Sequence, residues 1–462
     1  MLRAPCSVLR EPMTTTRQTA VASTDLKREL SLLDAIMINA GTMIASAIFI
    51  VPATDVAKNA PGSLLMTLAW VVGGVVSLLG ALSIAELAAA YPEAGGQYAY
   101  LREAYGAVWG FLYGWANFAV INTASIAAIA VGFARYIGFF VPLTEPAIRV
   151  IAILSIVGLT LLNCRGVRLG ATTQNILTAL KIVALFTLIL TAFALPGGSA
   201  TNFQPLWPPG SVGGWIGPFG VAMVAVLWAY DGWIETTYVG SEIVDPGKNL
   251  PRSIIYSTLI VIALYVLASV AYTYVLSPAN MVGSTLVASD AAKVTMGSLG
   301  ATFVVIAILI STLGANNGIV LTAARIPYAM ARGGMFFRAQ GIVHPRYGTP
   351  TVALITQGVI AAALTAWGTY DQLFTYVVFA QFVFYALSAG AVIRLRKTAP
   401  QVARPYRTWG YPLTPIVFIA FAAWLVYNTI VQSPKDSAIG AGLILIGLPG
   451  YFYWRRAGAA GR

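Results

Sequence analysis

Charge is scarce in this chain: only 10% of its 462 residues are Asp, Glu, Lys or Arg, against about 25% in a soluble globular protein. Histidine occurs once, as His344, and cysteine twice, as Cys6 and Cys164. A single histidine supports neither a histidine-rich metal centre nor a histidine-dependent catalytic dyad. Two distant thiols make neither a disulfide framework nor metal-ligand spacing. No Gly-x-Ser-x-Gly or His-Glu-x-x-His pattern occurs. These absences argue against an enzyme and against a bound metal or cofactor.

Apolar residues, in contrast, make up 58% of the chain, and the mean hydropathy is +0.77. Apolar runs of about 20 residues recur along almost its whole length. In lipid each backbone amide must find its partner within its own helix, so the pattern predicts an all-α polytopic membrane protein. Twelve spans are expected, at 33–57, 64–90, 105–138, 146–163, 170–195, 214–242, 253–276, 297–331, 350–367, 372–395, 412–432 and 438–455. The first 30 residues are polar and include Arg3, Arg10, Arg17, Lys27 and Arg28. No short apolar core with a cleavage site comes after them, so residues 1–30 read as a cytoplasmic tail.

With that tail inside, Lys58, Arg135, Arg149, Lys293 and Lys435 fall outside and Lys181 falls within a span. The remaining Lys and Arg are cytoplasmic, and an even number of spans returns the carboxyl terminus to the cytoplasm. The formal charge of +12 therefore reflects the positive-inside rule and not a nucleic-acid partner. The expected location is the cell (inner) membrane, with the lipid bilayer as partner.

Two spans are weakened. The first contains GTMIASAIFIVP (41–52), with Gly41, Thr42, Ala45, Ser46 and Ala47 close together; the sixth contains LWAYDGWIETTYVG (227–240), with Asp231, Gly232 and Glu235. Taken alone, either stretch reads equally as a surface for close helix packing. Interrupted segments at matching places in two halves instead point to a transporter site. A break frees amides, which suit a carboxylate, and carbonyls, which suit an ammonium group. One pair of broken helices thus matches both ends of a zwitterionic amino acid.

Several motifs carry a resemblance: GTMIASAIFIVP, AELAAAYPEAGGQYAYLREAYG (85–106), LTALKIVAL (177–185), AYDGW (229–233), VDPGKNLPRSI (244–254) and ARIPYAMARGG (324–334). Together they resemble the amino acid–polyamine–organocation (APC) superfamily, most nearly its L-amino-acid-transporter (LAT)-like branch. The resemblance implies a five-plus-five inverted repeat (LeuT-like fold) with two additional C-terminal helices. The core would cover 31–398, with repeats at about 31–195 and 212–398, and residues 399–462 would hold the added pair and a short cytoplasmic end. The implied activity is sodium-independent transport of amino acids by alternating access, through exchange or proton-coupled symport. A binding sensor without transport and a cationic amino acid or polyamine permease are the alternatives.

By this resemblance the substrate would be held by Met43, Ile44, Ala45, Ser46 and Ala47 of the first break and by Trp228, Ala229 and Asp231 of the second. Members of the branch carry Gly-Ser-Gly where this chain has Ala45-Ser46-Ala47. Two added methyl groups narrow the site and favour a small substrate, and the Ser46 hydroxyl remains able to donate to a carboxylate. Asp231 reads either as a cap for the next half-helix or as a partner for the substrate ammonium. The third span lacks an acid, so small neutral L-amino acids are expected.

Lys181 lies inside the fifth span, where a bare ammonium costs about 3 kcal/mol or more. In relatives a lysine in this context replaces a sodium ion, which would set Lys181 against carbonyls near Met43 and Ile44 and polar groups of span eight, as a fixed cation or as a proton carrier. Asn117, Glu235, Asn316, Asn317 and Tyr376 are further candidates for the cavity wall, with Asn316 or Asn317 expected to face the cavity or Lys181. Glu86 is expected to pair with a base in a loop, and Arg325 and Arg332 to snorkel or to act as gating charges. Eukaryotic members of the branch join a heavy chain through a cysteine after span three. The corresponding loop here, FFVPLTEPAIR (139–149), has none, so no disulfide-linked heavy chain is expected.

Overall fold

The computed structural model describes residues 26–207, 214–367 and 370–460. These are helical, and among them strand pairing is limited to two isolated bridges, Leu30 with Ile243 and Ala94 with Val239. The first helix is α1, Leu32–Met43, succeeded by a short α2, Ala47–Val51; α3 is Ser63–Ala90, α4 Gln97–Tyr105, α5 Ala107–Ala116 and α6 Asn122–Ile137. Next come α7, Glu145–Cys164; α8, Val167–Ala194; α9, Ile216–Ala229; α10, Glu235–Tyr238; and α11, Pro246–Val275. The second half continues with α12, Pro278–Met281; α13, Val287–Met296; α14, Ser298–Ala323; and α15, Arg325–Arg332. The chain ends with α16, Thr351–Trp367; α17, Tyr370–Thr398; α18, Leu413–Gln432; α19, Pro434–Leu445; and α20, Gly447–Ala460.

Nine stretches among the described residues are long and apolar enough to cross a membrane. They cover nine of the twelve expected spans. The other three fall on α9 and α16, which are apolar but only 14 and 17 residues long, and on the 29-residue α17. At 1.5 Å per residue α9 reaches about 21 Å, short of a core about 30 Å thick. It is short because the chain leaves the helix at Tyr230, inside the segment expected to span.

Ser31 and Asp34 start α1 with a capping box: the Asp34 amide donates to Ser31 Oγ (3.2 Å) and the Ser31 amide to Asp34 Oδ2 (2.8 Å). From there α1 enters the centre of the bundle, against α8, α11 and α14. Its apolar stretch is 72% buried, whereas that of Ser437–Arg456 is only 22% buried. The broken first helix is therefore the axis of the molecule, and the carboxyl-terminal pair lies at its edge.

One end of the bundle is tied by ions. Glu86, at the end of α3, accepts from Arg396 Nε and Nη2 (2.8 and 2.5 Å) and from the Thr408 amide (2.8 Å), with Arg404 Nε 3.4 Å away. It pins the long basic linker between α17 and α18 to α3, as expected for pairing with a loop base. Arg325 does not snorkel, the first of its two expected roles. Its side chain is 1% exposed and forks onto Glu242 through Nε (2.7 Å) and Nη2 (3.0 Å), while Nη1 donates to the Leu321 carbonyl. A guanidinium with a bidentate buried partner has no need to snorkel.

Candidate functional site

The first helix opens at Ile44, whose ψ of 85° leaves the helical region, and closes again at Ala47. Three carbonyls before the opening lose their helical partners, and side chains from three other helices meet them. Lys181 Nζ, from α8, donates to the Gly41 carbonyl and to that of Ile44 (2.8 Å). Ser311 Oγ, from α14, also donates to Ile44 (2.9 Å), and the Tyr265 hydroxyl, from α11, donates to Met43 (2.7 Å). Lys181 is fully buried. Its stem occupies the space left by Gly314, where an added Cβ would lie 2.6 Å from Lys181 Cε.

The second opening begins at Tyr230 and runs to Ile234. Gly232 has φ +114°, a conformation L side chains rarely adopt. A Cβ there would also stand 3.0 Å from the Met43 amide nitrogen and 3.1 Å from the Thr42 side chain. The two openings thus touch, and only glycine permits it. Beyond Ile234 the chain does not resume a spanning helix, contrary to the expected span to 242; it forms the four-residue α10 and a 3-10 turn at Gly240–Glu242. Three β-branched residues, Thr236, Thr237 and Val239, disfavour helix here, and neighbours satisfy the backbone instead. The Thr236 amide donates to Asn39 Oδ1 (2.9 Å), Gly95 to the Tyr238 carbonyl (2.9 Å), and Glu29 and Leu30 to the Glu242 carbonyl (2.9 Å each). Irregular backbone survives at membrane depth when protein encloses it.

A cavity lies between the openings. Thr42, Met43, Ala45 and Ala47 line it from the first, and Trp228, Ala229, Asp231 and Glu235 from the second. One face of α6 and the turn before it, Ile121 to Ile129, forms the opposite wall, with Ile319 and Gln381 completing the site. The Asp231 carboxylate accepts from Gln381 Nε2 (2.8 Å) and from the Tyr385 hydroxyl (2.6 Å), so it does not cap α10. Glu235 accepts from the Thr322 hydroxyl. A helix start leaves its first amides without intrahelical partners, and α2 starts at Ala47, on the cavity wall. The cavity therefore has the interrupted first helix on one side, the carboxylates of the second opening on the other and an indole beside them.

A family model described as amino acid permease matches residues 30–452. This chain belongs to the amino acid permease family. The permease is 32% identical over 455 residues to the b(0,+)-type amino acid transporter 1 of Mus musculus, covering 96% of this chain and 91% of that protein. It is 32% identical over 440 residues to the serine/threonine exchanger SteT of Bacillus subtilis, covering 94% and 98% respectively. The Large neutral amino acids transporter small subunit 2 of Homo sapiens is 32% identical over 449 residues, with 93% and 81% covered. The permease is accordingly a multi-pass membrane protein of the LAT-like branch, an amino acid transporter by family and not an enzyme.

Several candidate residues of the permease stand away from the cavity. Ile44 and Ser46 are absent from its wall: the Ile44 side chain is fully buried, and Ser46 lies at the start of α2 outside the lining. Asn117 is buried one turn below, donating to the Tyr113 carbonyl (3.1 Å) and accepting from Asn122 (3.2 Å), and it is Asn122 that reaches the cavity. Asn316 and Asn317 face neither the cavity nor Lys181, contrary to expectation. Asn316 donates to the Ile126 carbonyl (3.3 Å), and Asn317 joins α14 to α7 and α8 through Asn163 (2.9 Å), Gly170 (3.2 Å) and Gln174 (2.9 Å). Asn317 is satisfied where three helices meet, whereas Asn316 keeps its Oδ1 buried without a partner among the described residues. The side chain of Tyr376 lies outside the described residues. The wall contributed by α6 was missed by sequence reasoning, although Ile121, Ser125, Ala128 and Ile129 recur at three- and four-residue steps.

Proposed function

We propose that this permease carries small neutral L-amino acids across the cell membrane by alternating access, without sodium. The observation that supports it most is the Lys181 ammonium set on the Gly41 and Ile44 carbonyls beside Ser311, a fixed cation where a sodium-dependent relative would need a bound one. Twelve spans in two inverted repeats of five, with two added helices, both termini cytoplasmic and no disulfide-linked heavy chain, complete this reading.

In the proposed pose the substrate carboxylate meets the amides at the start of α2. Its ammonium faces the carbonyl end of α9 and Asp231, with Trp228 beside it. The Gly41, Met43 and Ile44 carbonyls already hold protein donors and take no part in binding the ammonium. Free space in the cavity is about 70 Å³, room for roughly five water-sized groups, which favours small side chains. The presence of two carboxylates on the wall supports a second reading, a cationic amino acid or polyamine substrate. Neutral substrates are preferred because the space is small and Asp231 is already assigned to the ammonium on the substrate's α-carbon.

Exchange of labelled alanine, serine and threonine in liposomes carrying the purified permease tests this. Flux is expected to be the same in sodium and choline media. Flux that needs sodium would overturn the role given to Lys181, flux of lysine or putrescine alone would select the second reading, and binding without flux would make the protein a sensor. Replacing both Ala45 and Ala47 by Gly removes two methyl groups from the cavity wall. This variant is expected to admit leucine-sized competitors at least tenfold better in a competition assay, and an unchanged range would count against the narrow site.

A further inference from the structure

Asp231 and Glu235 look into one cavity but differ in how they are held. Asp231 accepts from two donors, Gln381 and Tyr385. Glu235, 6% exposed, has the Thr322 hydroxyl, and that single hydroxyl proton is also aimed at the Gly318 carbonyl one turn back (2.9 Å). When it serves Gly318, the contact between Thr322 and Glu235 is completed only by a proton on the carboxyl group. The other titratable groups around Glu235 are Asp231 across the opening, Tyr113 from α5 and Tyr238 on its own segment. Arg325, the base on the helical turn after Thr322, is committed to Glu242, and Lys181 to the carbonyls of the first break. Among the described residues no base pairs with Glu235. Two carboxylates in one low-dielectric space do not both hold charge, and the better-solvated one keeps it.

We propose that Glu235 is a proton-binding site of the transport cavity: it holds the proton while Asp231 holds the charge, and that proton travels with the amino acid. This rests on the alternating-access reading. A carboxyl group on a cavity wall that opens first to one side and then to the other takes its proton from the first side and returns it to water on the second. One proton then moves in the same direction as each substrate molecule, and no other reactant is needed.

Infrared spectroscopy of the permease in lipid reads the proton without requiring transport. The wild-type protein at neutral pH is expected to show a carboxylic-acid carbonyl band that Glu235→Gln lacks and Asp231→Asn keeps. In liposomes, an inward proton gradient of one pH unit is expected to give about tenfold accumulation of substrate at one proton per molecule, and Glu235→Gln to give none. Thr322→Val, which removes the donor but not the carboxyl, is expected to keep the band. A band retained in Glu235→Gln, or lost instead in Asp231→Asn, would overturn the assignment, as would wild-type exchange indifferent to the gradient. That last result would leave the transport reading intact, whereas a band with no flux of any kind would sink transport and, with it, the coupling.

Discussion

Lys181→Ala is expected to lower amino acid uptake in liposomes at least about 100-fold. The ammonium makes two charge-assisted hydrogen bonds to freed carbonyls, each contributing about 1.5–3 kcal/mol. Removing it leaves the buried Gly41 carbonyl with no donor, and Ile44 with Ser311 alone. A loss of about 3 kcal/mol is enough to depopulate the open first helix by the expected factor, and that opening is what sets Thr42, Met43, Ala45 and Ala47 on the cavity wall. Lys181→Met serves as the control for packing, since it keeps the stem beside Gly314 while deleting the charge. It should fail as severely as alanine. Uptake near the wild-type level in either variant, measured at matched protein content, would refute the proposed role of Lys181.

Arg325→Met is expected to cause the largest loss of stability, about 3–5 kcal/mol, because it strands the fully buried Glu242 carboxylate without a counter-charge. The loss should appear as a marked drop in the thermal unfolding temperature of the purified protein in detergent. Glu242 also accepts the Glu29 and Leu30 amides through its backbone, so the segment leading into α1 should loosen and become accessible to protease. A double variant, Arg325→Met with Glu242→Leu, removes both charges together and is expected to recover most of the lost stability. If the single variant unfolds at the wild-type temperature, the buried pair is not holding this end of the bundle closed.

The loosening of the two helices is written locally. Small residues around Ala45 and the Asp231-Gly232 step weaken the helix whatever packs around it, and Gly232 alone tolerates its positive φ. Glu86 was also legible, because a lone acid at the end of an apolar helix beside a basic linker has few other partners. The faces of α14 were not. This helix is apolar all round, so its sequence carries no phase to say which side meets which neighbour. Asn316 and Asn317 therefore turned toward α6, α7 and α8, and Ser311 took the place at the Ile44 carbonyl. Snorkelling by Arg325 failed for a related reason, since its partner Glu242 is 83 residues away on a stretch that does not form the expected helix.

Composition by itself determined that the chain lives in lipid, because the cost of exposing apolar side chains to water and bare amides to hydrocarbon is additive along the chain. Its motifs determined the family, and its small and acidic residues determined where two helices yield. Only the packed bundle decided how each helix is rotated about its axis, and so which carbonyls Lys181, Tyr265 and Ser311 occupy, which carboxylates reach the cavity, and which asparagines do not. Those choices are made by contacts between residues far apart in sequence, and in a helix equally apolar on every side nothing local records them.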